Sequence, residues 1–320
     1  VDGIDALYAG FVSSVPEKLR ATARDLPHVL ALSPGRGRSW SEVFGHPVTL
    51  VAPKLVAHAM PHAEPDKVRG AVIAHALSMI EALGRERIAS RQLQPTPELS
   101  AVLAELRRAR YAVLDGVWSE APELARAADH ETEQAFKEQT SLLRRLSAVS
   151  FEDYRRISLA KQAVGFPASV GLCLAAGANE TQVELVRRAL AGVALGHQFE
   201  DDAGNWEDAW RRGGGAWAVS LARRRLEAVR EQSADERPTE PDLVRRRVHR
   251  TKVLYWMLRA ARHQYRTAWR YARLLGAEPL VLWTEQRLAR LDGLLPLEAR
   301  HAGYVVRALK LAPWASEVLT

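Results

Sequence analysis

The chain has a single cysteine, Cys173, in 320 residues. One thiol excludes an intramolecular disulfide and a cysteine-rich metal site, and it fits a reducing compartment. No run of eighteen uninterrupted apolar residues occurs, so no membrane span is expected. The opening residues Val1-Asp2-Gly3-Ile4-Asp5 lack the charged-then-apolar form of a signal peptide, and a cytoplasmic location is expected. Internal repeats of about 20–50 residues are absent, which excludes a solenoid. So are low-complexity stretches and breaks in composition, and residues 1–320 are read as one domain. Alternating apolar and polar runs are scarce, leaving little material for a β-sheet.

What is present is helix. Hydrophobic residues make up 47% of the chain and charged ones 26%, ordinary for a globular protein that can bury a sizeable core. Nearly every segment shows helical periodicity, punctuated at Ser33-Pro34-Gly35, Gly177, Gly213–Gly215, Gly276–Pro279 and similar points. Start signals stand at Pro65-Asp66 and at Ser150-Phe151-Glu152-Asp153. The pattern predicts an all-α fold of ten or more helices, bundled around a central cavity. Forty-five Lys and Arg face 38 Asp and Glu, a net charge of +7. That field attracts anions, including phosphorylated small molecules. The runs Arg223-Arg224-Arg225 and Arg245-Arg246-Arg247 accompany no nucleic-acid module. They are read as solvated helix faces, and no nucleic-acid partner is expected.

One stretch runs against economy. Gln198-Phe199-Glu200-Asp201-Asp202-Ala203-Gly204-Asn205-Trp206-Glu207-Asp208 follows the apolar run Val183–Leu195 and reads as its helical continuation. At about 100° per residue, Asp201, Asn205 and Asp208 fall within about 60° of one another, with Gln198 one turn earlier. Asp201, Asp202 and Asp208 are three carboxylates close enough to repel, and they cost helix propensity. A divalent cation removes the repulsion, and an oxygen-only donor set points to a hard ion such as Mg²⁺, which binds through carboxylates and substrate phosphates. The alternative is a solvated acidic patch on a basic protein. Nine tryptophans, among them Trp118, Trp206, Trp210, Trp217, Trp256 and Trp269, are singly read as packing residues. The ten histidines are read as giving no pair that compels a transition-metal site, and His75 as a core-edge residue.

With the acidic helix placed, the segments upstream take on a familiar order. The stretches Phe151–Ile157, Lys161-Gln162-Ala163 and Gly171–Gly177, followed by His197-Gln198-Phe199-Glu200-Asp201-Asp202-Ala203-Gly204-Asn205, resemble the trans-isoprenyl diphosphate synthases over roughly residues 70–220. That family has a Tyr, a Lys-Thr-Ala tripeptide, a small-residue helix ending in Gly, and then a second aspartate-rich motif, Phe-Gln-x-x-Asp-Asp-x-x-Asp. Ala112–Gly116 is similar to its Leu-x-Gly-Asp segment with the last two residues inverted. The resemblance implies an isoprenoid-synthase fold, a prenyl diphosphate substrate, Mg²⁺ and a homodimer. It implies that Asp201, Asp202 and Asn205 hold a magnesium–diphosphate, with Asp208 in or near that shell. Lys161 would contact the diphosphate, Gln198 would hold a reacting group or orient a carboxylate, and Arg211 and Arg212 would add charge.

The chain also departs from the family. The first motif, Asp-Asp-x-x-Asp, is missing from the helix Val68–Ile88, where Glu81 or Glu86 is the nearest substitute. Arg91-Gln92-Leu93-Gln94-Pro95-Thr96 resembles a remnant of the family's arginine segment. A helix carrying Glu81, Arg85 and Arg87 suits direct phosphate contact by Arg85 and Arg91 in place of an acidic wall. The preferred reading is non-standard prenyl transfer, from an allylic diphosphate to an acceptor other than isopentenyl diphosphate. Terpene cyclisation is the rival, and a non-catalytic partner subunit is the third.

Overall fold

The structure is a computed structural model that describes residues 3–33, 35–44, 47–90, 92–145, 148–211, 216–228 and 241–311. Among the described residues there are sixteen α-helices and no strand. In chain order they are α1 (Ile4–Ser14), α2 (Glu17–Arg24), α3 (Leu26–Val29), α4 (Trp40–Val43), α5 (Pro47–Ala57), α6 (Pro65–Ala89), α7 (Pro97–Val117) and α8 (Ala121–Arg144). There follow α9 (Phe151–Lys161), α10 (Pro167–Ala175), α11 (Glu180–Gly204), α12 (Trp206–Arg211), α13 (Trp217–Ala228), α14 (Pro241–Arg250), α15 (Val253–Leu275) and α16 (Glu278–Leu311). The all-α architecture expected from the periodicity is present.

Local chemistry sets where these helices begin and end. Thr96 accepts from the Leu99 amide at 3.1 Å ahead of Pro97, whose missing N–H costs nothing in a first turn. Ser150 accepts from the Asp153 amide at 3.0 Å to start α9. Asn179 and Gln182 each accept from the other's amide, at 2.9 and 3.0 Å, and open α11 as a reciprocal cap. Between α10 and α11, Gly177 takes φ +79°, and the Ala178 amide reaches back to the Cys173 carbonyl at 2.9 Å. That closes α10 as a left-handed glycine cap.

The described chain groups into two compact units. The first comprises Val1–Lys137, Ala160–Ala191 and Trp269–Leu282. Its central helix is α6, where Ala74, His75, Ala76, Leu77 and Ser78 are all buried in succession, so that every side of the helix is covered. Helices α5, α7 and α10 pack around it. Ile80, Leu99, Leu103 and Leu106 join Leu26, Leu30 and Trp40 in one apolar core, each large aliphatic contributing about 1.5–3 kcal/mol by burial.

The second unit comprises Glu138–Leu159, Gly192–Ala268 and Trp283–Thr320. Here α11 and α15 approach until no side chain fits between them. A Cβ on Gly192 would lie 2.8 Å from the Gln264 carbonyl oxygen, and one on Gly196 would lie 2.8 Å from the Tyr265 ring. This contact sits one turn ahead of the acidic stretch and fixes where the end of α11 is carried.

Candidate functional site

The end of α11 presents its acids on two different faces. Gln198 Nε2 donates to Asp202 Oδ2 at 2.8 Å, and the Tyr154 hydroxyl donates to the same oxygen at 2.6 Å. Four helical steps rotate about 40° past a full turn whereas three fall about 60° short, so Gln198 meets Asp202 and not Asp201. Asp201 is exposed and accepts from Asn205 Nδ2 at 2.7 Å. Thus Asp202 is tethered from two sides and half-buried, while Asp201 and Asn205 form an exposed pair. These groups offer hard oxygen donors, the kind of donor that Mg²⁺ prefers.

Tyr154 is wholly buried. Its ring lies 5.0 Å from Phe199 and 4.8 Å from Trp217, with Phe151 edge-on at 5.8 Å. Burial, with the Asp202 charge and hydrogen bond added, pushes its hydroxyl pKa well above the ordinary phenol value. Tyr154 therefore stays a donor, and Asp202 keeps a fixed orientation.

The continuation expected through Asp208 is interrupted. Gly204 ends α11, Asn205 forms a bend, and Trp206 opens α12. Gly and Asn are poor helix formers, and Glu207 and Asp208 then favour a new first turn by meeting its positive end. Asp208 is exposed on α12 and lies 3.8 Å from Arg211, which also bonds Glu207 at 2.9 Å. Arg211 is exposed, and Arg212 lies outside the described residues.

On the other side of α11, Glu200 is half-buried in an ion pair with Arg287, accepts from the Tyr265 hydroxyl at 3.2 Å, and lies 3.4 Å from Arg290. This acid belongs to the packing of α11 on α15 and α16. Neighbouring His197 has its pKa lowered by burial and then by the Arg287 charge, so its imidazole is neutral.

In the first unit, Lys161 is not a surface lysine. It is buried, with Nζ 2.5 Å from Glu86 Oε1. Glu81 is buried as well and serves as an anchor for arginines, with Arg107 Nη2 at 2.7 Å and Arg110 Nη1 at 3.2 Å. Arg110 also pairs with Asp129, which accepts from the Tyr111 hydroxyl. Arg85 bridges Glu133 and lies 3.7 Å from Glu81. Three arginines thus balance Glu81, Asp129 and Glu133. Burial pushes the Glu81 carboxyl above the usual range, although Arg110 and Arg107 oppose it. Arg87 donates to the Leu30 carbonyl at 2.8 Å, and Arg91 lies outside the described residues.

No family model matches the sequence, and no curated protein matches it either. Solved structures do. A geranylgeranyl pyrophosphate synthase from Lactobacillus brevis matches with a TM-score of 0.70 at 12% identity, covering 90% of this chain and 96% of its own. A polyprenyl synthase from Caulobacter crescentus CB15, complexed with calcium and isoprenyl diphosphate, matches with a TM-score of 0.67 at 16% identity over 90% and 93%. A decaprenyl diphosphate synthase from Rhodobacter capsulatus gives 0.64 at 16% identity over 90% and 98%. The fold is that of the trans-prenyl diphosphate synthases.

Several contacts around the candidate site carry no signal in the sequence. The partnership of Tyr154 with Asp202 spans 48 residues, and no spacing rule announces it. Glu81, the nearest substitute for the first acidic motif, is bound between Arg107 and Arg110. Trp217 stacks beside Tyr154, whereas Trp256 is flanked by Arg225 and Arg259 at 5.3 and 5.2 Å and faces solvent in part. Among the described residues no single helix is long and apolar enough to cross a membrane.

Proposed function

We propose that this protein binds an allylic prenyl diphosphate, ionises it, and transfers the prenyl group to an acceptor other than isopentenyl diphosphate. The observation that carries the reading is Asp202, an acid held by Tyr154 and Gln198 at the end of the helix that also bears Asp201 and Asn205. The fold supports it, since the solved proteins that share it are named as prenyl diphosphate synthases, one of them in complex with isoprenyl diphosphate. Asp201, Asp202 and Asn205, with Asp208, would hold Mg²⁺, which when bound neutralises the charge of a departing diphosphate. Gln198 orients Asp202, and Tyr154 keeps that carboxylate fixed while retaining its own proton. Lys161, Arg85, Arg91, Arg211 and Arg212 are the candidates for direct diphosphate contact. For Lys161 that contact would be made in exchange for Glu86.

The choice of acceptor rests on α6. Standard elongation faces one acidic helix with another, but Glu81 is engaged by Arg107 and Arg110. With Glu81 so engaged, α6 supplies no free acidic motif, which suits an acceptor that brings no second diphosphate. A homodimer is proposed from the family likeness. The engagement of Lys161 by Glu86, and of Glu81 by Arg107, favours a second reading, a catalytically silent partner subunit.

The test is incubation of purified protein with Mg²⁺ and geranyl, farnesyl or geranylgeranyl diphosphate, first alone and then with candidate acceptors, with product analysis. Diphosphate release that requires an acceptor is expected. A cyclic hydrocarbon or alcohol formed without one would replace transfer by cyclisation. No turnover under any condition would favour the silent subunit.

A further inference from the structure

Far along the chain from the acidic stretch, the second unit brings together His249, next to last in α14, with Glu298 and His301 on α16. One donor atom from each lies within 4.8 Å of the others. His301 Nδ1 is 3.8 Å from Glu298 Oε2, and the rings of His249 and His301 meet edge to face with centroids 5.1 Å apart. An ordinary surface His–Glu pair would account for Glu298 and His301. It does not account for His249, which is 8% exposed and whose buried Nδ1 finds no hydrogen-bond partner among the described residues. A buried imidazole nitrogen without a partner is rare in folded proteins and calls for an explanation.

We infer that His249, Glu298 and His301 form a second metal site, for a transition-metal ion of the Zn²⁺ class, distinct from the oxygen-lined Mg²⁺ candidate on α11. The donor set decides the class. Two imidazoles and a carboxylate suit zinc, whereas magnesium prefers oxygen alone. A tetrahedral ion holds its ligand atoms about 3.3–3.5 Å apart, so the cluster contracts by roughly 1 Å on binding. Exposed His301 and half-buried Glu298 give the ion an entry path, and the fourth position is left to water. Trp206 packs edge-on to His249 at 6.4 Å and limits where its ring can lie. Bound metal would clamp α14 to α16. Glu298-Ala299-Arg300-His301 has Glu-x-x-His spacing, so a sequence signal did exist, against the reading that no histidine pair pointed to a transition metal.

The test is independent of prenyl chemistry. Chelator-stripped protein is titrated with ZnCl₂ in excess Mg²⁺, with a chromogenic competitor as reporter, and a second sample is loaded with Co²⁺ for its visible spectrum. One equivalent of Zn²⁺ is expected to bind, to resist displacement by Mg²⁺ and to raise Tm. Co²⁺ should show the absorption of a low-coordinate site. His301→Ala removes an exposed ligand without touching the core and should weaken zinc binding by more than about 100-fold, with Glu298→Gln weakening it too. Asp202→Asn should leave it unchanged. Sub-stoichiometric binding, or tight binding that survives His301→Ala, or its loss in Asp202→Asn, would overturn the assignment.

Discussion

Replacing Tyr154 by Phe removes one hydroxyl from a fully buried position and leaves Gln198 still donating to Asp202. Because the acceptor is charged, the loss should cost about 1.5–3 kcal/mol in urea unfolding. Diphosphate release should slow as Asp202 becomes free to turn, and an unchanged rate would remove Tyr154 from any positioning role. Glu81→Ala tests the other unit. It strips one carboxylate from Arg110, which is 1% exposed, and should destabilise by about 3 kcal/mol, with Glu81→Gln milder. An equal and small effect of both would show that Asp129 alone satisfies Arg110. Cys173 is buried, and desolvation pushes its thiol up to about 12. At about pH 8 a disulfide reagent should label it only after unfolding. Prompt labelling of native protein would contradict the packing of α10. At this scale the sequence was legible where partners lie one turn apart, as for Asn205 and Asp201. It was silent where they meet through tertiary packing, as for Glu81 with Arg110, because nothing local to either residue encodes the other.

At the scale of elements, the contact of α11 with α15 locates the acidic end. Gly196→Val would drive a branched side chain into the Tyr265 ring, where a Cβ alone already stands at 2.8 Å. An overpacking loss of about 1–3 kcal/mol is expected by thermal melting, accompanied by weaker activity because the helix that bears Asp201 and Asp202 must shift. A variant as stable as the parent would mean that the two helices separate easily. Helices were the most legible level, since apolar periodicity and Pro/Gly punctuation act within one turn or two. The interruption at Asn205 was also written in the chain, in Gly204-Asn205 followed by Glu207-Asp208. The acidic run read as continuous because its charge pattern kept helical spacing on both sides of the bend.

For the whole molecule, the net charge of +7 bears on how a diphosphate arrives. If the proposed substrate is right, kcat/KM should fall several-fold between about 20 and 200 mM salt, as screening shortens the reach of the field. A salt-independent value would place substrate capture under local contacts alone. The two units are joined inside helices, with the chain passing from one to the other within α8, α9, α11, α15 and α16, so the divisions leave no mark in composition. A fold kept at 12–16% identity must rest on relations between positions more than on the residues themselves. Gly192 and Gly196 show what such a relation entails. Gly192 faces the Gln264 backbone, which no exchange of side chains moves aside, whereas Gly196 faces the Tyr265 ring, so drift at 196 and 265 is coupled. Among descendants of this chain, a bulkier residue at 196 should coexist only with a smaller one at 265, and divergence should cross this helix pair by paired exchange.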